Sequence, residues 1–144
     1  MSNFLAIDQG TTSSRAIIFS SNHELITDSQ EEYSLSYPND GWVEAEPNEI
    51  LRTVKQSLEK VLKEISETII CCGITNQRET TVVWSAETGE PIYPAIIWQD
   101  RRTHKLCKSL KENGYEGWIL PSDCKKSSET VHQMNRKTTF KVTQ

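Results

Sequence analysis

The chain has no apolar run long enough to cross a bilayer, and it carries no excess of positive charge. Met1 to Asn3 are uncharged, and the apolar stretch that follows ends at Asp8, so neither a membrane span nor a signal peptide is predicted. The formal net charge is −4 and the pI is about 5.4. Such a charge balance attracts neither nucleic acid nor an anionic membrane. We therefore expect a cytoplasmic protein that binds neither.

Cysteine is also scarce, and none of the four residues has the spacing of a metal site. Cys71 and Cys72 are adjacent within an apolar run, while Cys107 and Cys124 have no partner at the spacing of zinc ligands. The sequence therefore predicts buried, reduced thiols rather than a zinc site or a disulfide framework.

What is present is typical of one soluble globular domain: 144 residues, 35% hydrophobic and 25% charged. Apolar runs at 4–7 and 15–19 predict two strands, and 24–33, with Leu25 and Ile26, predicts a third. Short polar turns separate the three and predict an antiparallel meander. A helix is predicted from Pro47 to about 63–65, with one apolar face. That face consists of Ile50, Leu51, Val54, Leu58, Val61 and Leu62.

The second half of the pattern alternates strands and helices. The run at 69–74 predicts a buried strand, 80–84 a further strand and 94–98 an extended piece. A helix over 101–113 would turn Leu106 and Leu110 inward and end at Gly114. This order predicts an α/β fold with a mixed sheet that is antiparallel at one side.

The densest polar chemistry lies in the first turn, Asp8-Gln9-Gly10-Thr11-Thr12-Ser13-Ser14-Arg15. Gly10 accepts a positive φ without penalty, and the small hydroxyl residues leave backbone N–H groups open to an anion. Asp8 is suited to Mg²⁺, and Arg15 supplies a positive charge for a phosphate. The alternative is an ordinary polar turn. The segment is not a Walker A loop, because no Gly-Lys-Ser/Thr follows.

A second polar cluster, Gly73 to Thr81, separates two apolar strands. Arg78 and Glu79 offer donors and acceptors to a small hydroxylated ligand, and Trp98 offers a flat wall for its carbon atoms. The alternatives are a surface ion pair and a core tryptophan. Asp100-Arg101-Arg102 is interpreted as a helix start and local structure rather than as catalytic machinery.

The string from Ile7 to Ala16 resembles the first phosphate motif of the glycerol kinases, which belong to the FGGY carbohydrate kinases. The resemblance implies the actin-like ATPase (ribonuclease H-like) fold, here incomplete, in which this hairpin wraps the β- and γ-phosphates of ATP. It implies that Asp8 lies near Mg²⁺ and that Thr11 also meets the phosphate of the product. The implied nucleotide-binding residues are Gly10, Thr11, Thr12, Ser13 and Arg15.

Three further strings resemble glycerol kinases: Asn76 to Thr81, Ile97 to Gln99 and Gly41 to Glu44. By resemblance, Arg78, Glu79 and Trp98 hold glycerol. Relatives that act on xylulose or gluconate usually lack the Arg-Glu pair. The implied activity is the ATP- and Mg²⁺-dependent phosphorylation of glycerol to sn-glycerol 3-phosphate. Full-length family members are implied to be homo-oligomeric.

The resemblance ends near residue 120, so we expect 1–120 to be the front portion of the first kinase domain. Residues 121–144 are rich in Lys, Ser and Thr and predict a divergent, disordered tail. A frameshift or premature end of a longer gene would explain the change, and an ordinary flexible tail is the alternative.

The family's catalytic Asp lies beyond residue 144, so no catalytic base is expected in this chain. The main hypothesis is therefore a chain derived from a glycerol kinase. One alternative is a catalytically inactive fragment that binds polyol or phosphate weakly or not at all. A weaker alternative is another actin-like ATPase module.

Overall fold

The computed structural model of the chain describes residues 2–115 and contains two β-sheets and two α-helices. The larger sheet consists of β1 (Ser2–Gln9), β2 (Ser13–Ser20), β3 (Leu25–Glu32) and β6 (Thr68–Asn76). These strands lie in the order β3-β2-β1-β6. The pairs β1–β2 and β2–β3 are antiparallel, whereas β6 runs parallel to β1. The predicted meander and the mixed α/β sheet are therefore confirmed.

The main core lies between this sheet and helix α1 (Pro47–Lys63). Alternate residues of β1 and β2 are buried, because successive side chains of a strand point to opposite faces. The helix begins with Pro47 in its first turn, as predicted, and packs on β1, β2 and β3. The buried core residues are Leu5, Ile7, Ala16, Ile18 and Val61.

The face that α1 buries is more polar than its sequence pattern indicates. Thr53 and Ser57 are fully buried on it, whereas Leu51 and Leu62 are 51% and 44% exposed. The hydroxyls of Thr53 and Ser57 donate to the carbonyl oxygens of Ile50 and Val54 in the preceding turn. Because these side chains satisfy their own polar atoms, the helix can lie close to the sheet there.

A second, three-stranded sheet consists of β4 (Leu35–Ser36), β5 (Glu44–Ala45) and β7 (Ala95–Ile96). Its small core contains Tyr33, Val43, Ala45 and Ile97.

A buried ion network lies beside this small core. The Arg102 guanidinium pairs with Glu44 and Asp100, each at 2.7 Å, and stacks over the Trp42 ring at 3.9 Å. The Val43 N–H donates to Asp100 Oδ2 over 2.7 Å. Hydrogen bonds from Arg102 lower the pKa of Asp100 to about 2, and Asp100 in turn raises the pKa of Arg102. The Asp100-Arg101-Arg102 segment therefore has the local structural role that was predicted, but it does not begin a helix, because the next helix starts at His104.

The predicted burial of β6 is wrong, although the strand itself is confirmed. Ile70 and Ile74 are 58% and 73% exposed, because β6 is the edge of the sheet and α1 packs on the other three strands. Cys71, Cys72 and Cys107 are free, as expected, but exposed rather than buried. Cys124 and the predicted tail at 121–144 lie outside the described residues.

Two later elements also differ from prediction. Residues 80–84 form no strand, only the isolated bridges Thr81–Ile96 and Trp84–Pro91. Helix α2 (His104–Glu112) begins three residues later than expected, and Leu106 is 60% exposed instead of inward. Gly114 follows the helix with a φ of 78°, as predicted for its C-terminal cap.

Within residues 2–115, neither helix is long and apolar enough to cross a membrane. The same residues hold no cluster of three or more His, Cys, Asp or Glu side chains arranged for a metal ion.

Candidate functional site

A cavity of about 410 Å³ lies where the parallel strands β1 and β6 end. Gln9 and Asn76 are the last paired residues of these strands, so the segments that follow them begin side by side. This is why a turn near residue 10 and a loop near residue 78 reach one cavity. It is lined by Asp8, Gln9, Gly10, Thr11, Asn76, Gln77, Arg78, Glu79 and Trp98.

The turn between β1 and β2 is tight at Gly10, but for a different reason from the one predicted. Gly10 is not among the glycines with positive φ. A Cβ atom there would lie 3.2 Å from the carbonyl oxygen of Ser13, which accepts the Gly10 N–H over 2.8 Å. Glycine is favoured by this close approach rather than by a left-handed backbone.

Beyond Gly10, the turn presents hydrogen-bond donors. Among the described residues, the backbone N–H groups of Thr11 and Thr12 have no hydrogen-bond partner. The turn itself is anchored: Ser14 shares a buried 2.9 Å hydrogen bond with Thr53 of α1, and the Tyr33 N–H donates to the Thr12 carbonyl over 3.0 Å. The free donors therefore lie on a supported turn, as anion binding requires.

The loop after β6 brings Arg78 and Glu79 to the opposite side of the cavity. Gln77 ties this loop to β1, since its N–H donates to the Gln9 carbonyl over 2.7 Å. Glu79 has a φ of 65°, in the left-handed region that costs energy for a residue other than glycine. In the described residues, Arg78 and Glu79 form no ion pair with each other or with other groups. The surface-ion-pair alternative is therefore not what the structure contains.

Trp98 closes the cavity and connects its two sides. The indole Nε1–H donates to Thr11 Oγ1 over 2.9 Å, and the Trp98 N–H donates to Thr80 Oγ1 over 3.3 Å. The residue is 51% exposed, so it is not the core tryptophan of the alternative interpretation. An exposed indole face next to polar groups is suited to the carbon chain of a polyol.

Tyr33 supports the site from beneath and was not identified from the sequence. Its hydroxyl donates to the Gly10 carbonyl over 2.7 Å and accepts hydrogen bonds from Gln9 and Gln77. Burial raises the pKa of this phenol, an effect partly opposed by the two glutamine hydrogen bonds. The only signal in the sequence is that an aromatic residue follows a polar strand. When such a tyrosine is buried, its hydroxyl requires hydrogen-bond partners.

The structure brings six of the predicted site residues to the cavity: Asp8, Gly10, Thr11, Arg78, Glu79 and Trp98. Thr12, Ser13 and Arg15 do not line it. The Ser13 hydroxyl accepts from Gln30 over 3.1 Å, and Arg15 pairs with Asp28 on β3 at 2.6 Å. Asp8 is exposed at the cavity and has no hydrogen-bond or ion-pair partner among the described residues.

The sequence profile of the FGGY family of carbohydrate kinases, N-terminal domain, matches residues 3–134. The glycerol kinase of Petrotoga mobilis is 51% identical over 118 residues, which are 80% of this chain and 24% of that protein. The chain thus spans about a quarter of the length of such curated relatives.

Solved structures of sugar kinases superpose on the chain. The gluconate kinase of Lactobacillus acidophilus has a TM-score of 0.77 at 19% identity, covering 82% of this chain and 24% of that one. The Plasmodium falciparum glycerol kinase with ADP has a TM-score of 0.71 at 32% identity, covering 78% and 23%. The predicted actin-like ATPase fold, in incomplete form, is thereby confirmed.

Proposed function

The chain belongs to the FGGY family of carbohydrate kinases, and we propose that it serves the phosphorylation of glycerol by ATP to sn-glycerol 3-phosphate. The observation that carries this proposal is the single cavity that joins the β1–β2 turn to the Arg78–Glu79 loop. Phosphoryl transfer depends mainly on positioning the acceptor hydroxyl against the phosphate, so the two binding regions must be neighbours.

The β1–β2 turn would hold the phosphates. Thr11 and Thr12 offer unpaired N–H groups, and Asp8 offers a carboxylate without a competing partner among the described residues. One carboxylate with room for water molecules fits Mg²⁺, which would neutralise charge on the phosphate oxygens. Ser13 and Arg15 belong to the proposed phosphate site as well, but Arg15 reaches it only by leaving Asp28.

The loop after β6 would hold the polyol. Glu79 would accept hydrogen bonds from glycerol hydroxyls, Arg78 would donate to them, and the Trp98 ring would pack on the carbon atoms. Because Arg78 and Glu79 form no ion pair within residues 2–115, neither group has to give up a charged partner there to bind the ligand. Glycerol is favoured over larger sugars because relatives near 50% identity are glycerol kinases, whereas the gluconate and xylulose kinase structures share only 18–23%.

A second candidate is a catalytically inactive fragment that binds polyol or phosphate weakly. It is supported by the quarter-length coverage of the relatives. It is also supported by the acids at the cavity: among the described residues these are Asp8 and Glu79, both with proposed binding roles. A general base for the attacking hydroxyl would therefore come from outside the described residues. Cytoplasmic location and homo-oligomeric assembly are proposed for the complete family members.

The two candidates are separated by measuring glycerol-dependent ADP release and glycerol binding on the purified chain. Glu79→Gln removes the charge of the proposed acceptor. Glu87→Gln serves as the matched control, because Glu87 lies in an exposed turn and does not line the cavity. Turnover that Glu79→Gln abolishes and Glu87→Gln preserves would establish kinase activity in this chain.

Binding without turnover, with the same dependence on Glu79, would establish the polyol-binding fragment. Neither turnover nor binding at millimolar glycerol would overturn the kinase proposal and the polyol-binding form of the second candidate. Binding that Glu79→Gln leaves unchanged would overturn the placement of the polyol.

A further inference from the structure

The hydrogen bond between Trp98 and Thr11 joins the two sides of the cavity, and its direction has a chemical consequence. An indole N–H can only donate, so the Thr11 hydroxyl must act as the acceptor in this 2.9 Å contact. The hydroxyl hydrogen is therefore left to donate elsewhere. Among the described residues, Thr11 Oγ1 has no acceptor of its own.

The Thr11 hydroxyl can donate that free hydrogen into the cavity. Thr11 lines the cavity at the β1–β2 turn, where its backbone N–H and that of Thr12 are also unpaired. A phosphate oxygen at this turn would accept from all three donors, whereas a hydroxyl that donated to a protein group would have to reorient first.

Trp98 is itself held in place by contacts that do not involve the ligand. Its N–H donates to Thr80 Oγ1, and the Thr80 hydroxyl donates to Gln77 Oε1 over 3.0 Å. The preceding residue, Ile97, is fully buried, and its N–H donates to the Val43 carbonyl over 3.0 Å. The indole N–H thus projects from a supported backbone toward Thr11.

We propose that Trp98 is a positioning residue for the phosphate in addition to a wall for the polyol: it fixes the Thr11 hydroxyl as a donor toward a phosphate oxygen. This inference rests on the proposed function, because it needs a phosphate at the β1–β2 turn. Trp98 would then contact the polyol through its ring face and would act on the phosphate through the Thr11 hydroxyl.

The test compares Trp98→Phe, which keeps an aromatic wall and loses the N–H, with Trp84→Phe as the matched control. Trp84 lies in the 80–92 segment and does not line the cavity. Inorganic phosphate and glycerol are titrated separately into the full chain and followed by NMR. We expect Trp98→Phe to weaken phosphate binding roughly tenfold and glycerol binding clearly less, because phenylalanine keeps an aromatic wall. Trp84→Phe should change neither affinity.

A double-mutant cycle separates positioning from a general structural effect. In a Thr11→Val background, Trp98→Phe should have no further effect on phosphate binding, whereas Thr11→Ser keeps the hydroxyl and should restore the dependence on Trp98. The chemical shift of the Trp98 indole N–H should change in Thr11→Val and remain the same in Thr11→Ser.

Equal losses of glycerol and phosphate affinity in Trp98→Phe would overturn the inference, because a general distortion of the cavity would then explain both. An unchanged phosphate affinity would also overturn it, because the ring would then act only as a wall. Glycerol binding without any phosphate binding by the wild-type chain would also overturn it, while leaving the polyol site intact. Binding of neither ligand would overturn the proposed function and this inference together.

Discussion

The hydroxyl of Tyr33 donates a 2.7 Å hydrogen bond to the carbonyl oxygen of Gly10, and it accepts one of 2.9 Å from the side chain of Gln77. One buried phenol thus connects the β1–β2 turn to the loop that carries Arg78 and Glu79. Its ring belongs to the smaller core, so the packing of the second sheet determines where both binding segments lie.

Tyr33→Phe should lower the free energy of unfolding by roughly 1–3 kcal/mol, because the partly buried Gly10 carbonyl and the two glutamine amides lose their shared partner. Chemical denaturation at neutral pH measures this change. Tyr37→Phe is the control, since Tyr37 is 68% exposed. Because burial raises the pKa of Tyr33 above 10.0, its contribution is present below pH 10.0 and is lost as the pH rises through the raised value. Equal effects of the two substitutions would contradict the role of the hydroxyl.

Glu79→Gly should raise the free energy of unfolding by roughly 0.5–1 kcal/mol, because the φ of 65° strains glutamate and not glycine. The same substitution should remove glycerol binding, since the carboxylate is lost. Denaturation and glycerol titration of one sample measure both effects.

Glu87→Gly is the matched control for this trade-off. Glu87 is exposed and its φ is not positive, so glycine there should lower stability through backbone entropy and leave glycerol binding unchanged. A loss of stability in Glu79→Gly as large as that in Glu87→Gly would show that the backbone at Glu79 is not strained.

Asp100→Asn should destabilise the fold on the order of 3 kcal/mol at neutral pH, because it leaves Arg102 in a buried network with one carboxylate fewer. In the wild-type chain, Asp100 contributes stability above its ordinary pKa of 3.8, and this is lost as the pH falls toward about 2. The variant should therefore lose less stability than the wild type between pH 4 and pH 2. Identical acid profiles of the two proteins would contradict the assignment.

Asp28→Asn should strengthen phosphate binding by up to about fivefold, because it releases the Arg15 guanidinium from a partly exposed ion pair. Titration with inorganic phosphate measures the change. Glu31→Gln removes a different ion pair of β3, the one with Lys60, and should leave phosphate binding unchanged. An unchanged phosphate affinity in Asp28→Asn would indicate that Arg15 takes no part in the phosphate site.

Several elements were predictable because their determinants are local. The meander follows from apolar runs broken by polar turns, and α1 begins at Pro47 because proline suits the first turn of a helix. Gly114 ends α2 for a similarly local reason. The family resemblance also lies in short strings, so Asp8, Thr11, Arg78, Glu79 and Trp98 could be named as site residues before any fold was known.

Burial was less predictable, because it depends on what packs against an element. The run at 69–74 has the apolar composition of a central strand, yet β6 is an edge strand whose Ile74 is 73% exposed. The segment at 80–84 has strand-like composition but forms only isolated bridges among the described residues, since the strand that Thr81 meets, β7, is only two residues long. The composition of a segment does not show which elements will lie beside it in the fold.

By itself, the sequence determined the family, the order of the main elements and most of the side chains that line the cavity. Only the tertiary structure decided which of those side chains meet. The parallel pairing of β1 and β6 brings Gly10 and Arg78 to one cavity, and the Trp98 indole reaches Thr11 across 87 residues of sequence. The same structure turns Arg15 toward Asp28 instead. Such contacts depend on strand order and side-chain direction, which are set by packing over the whole domain and not by any local pattern.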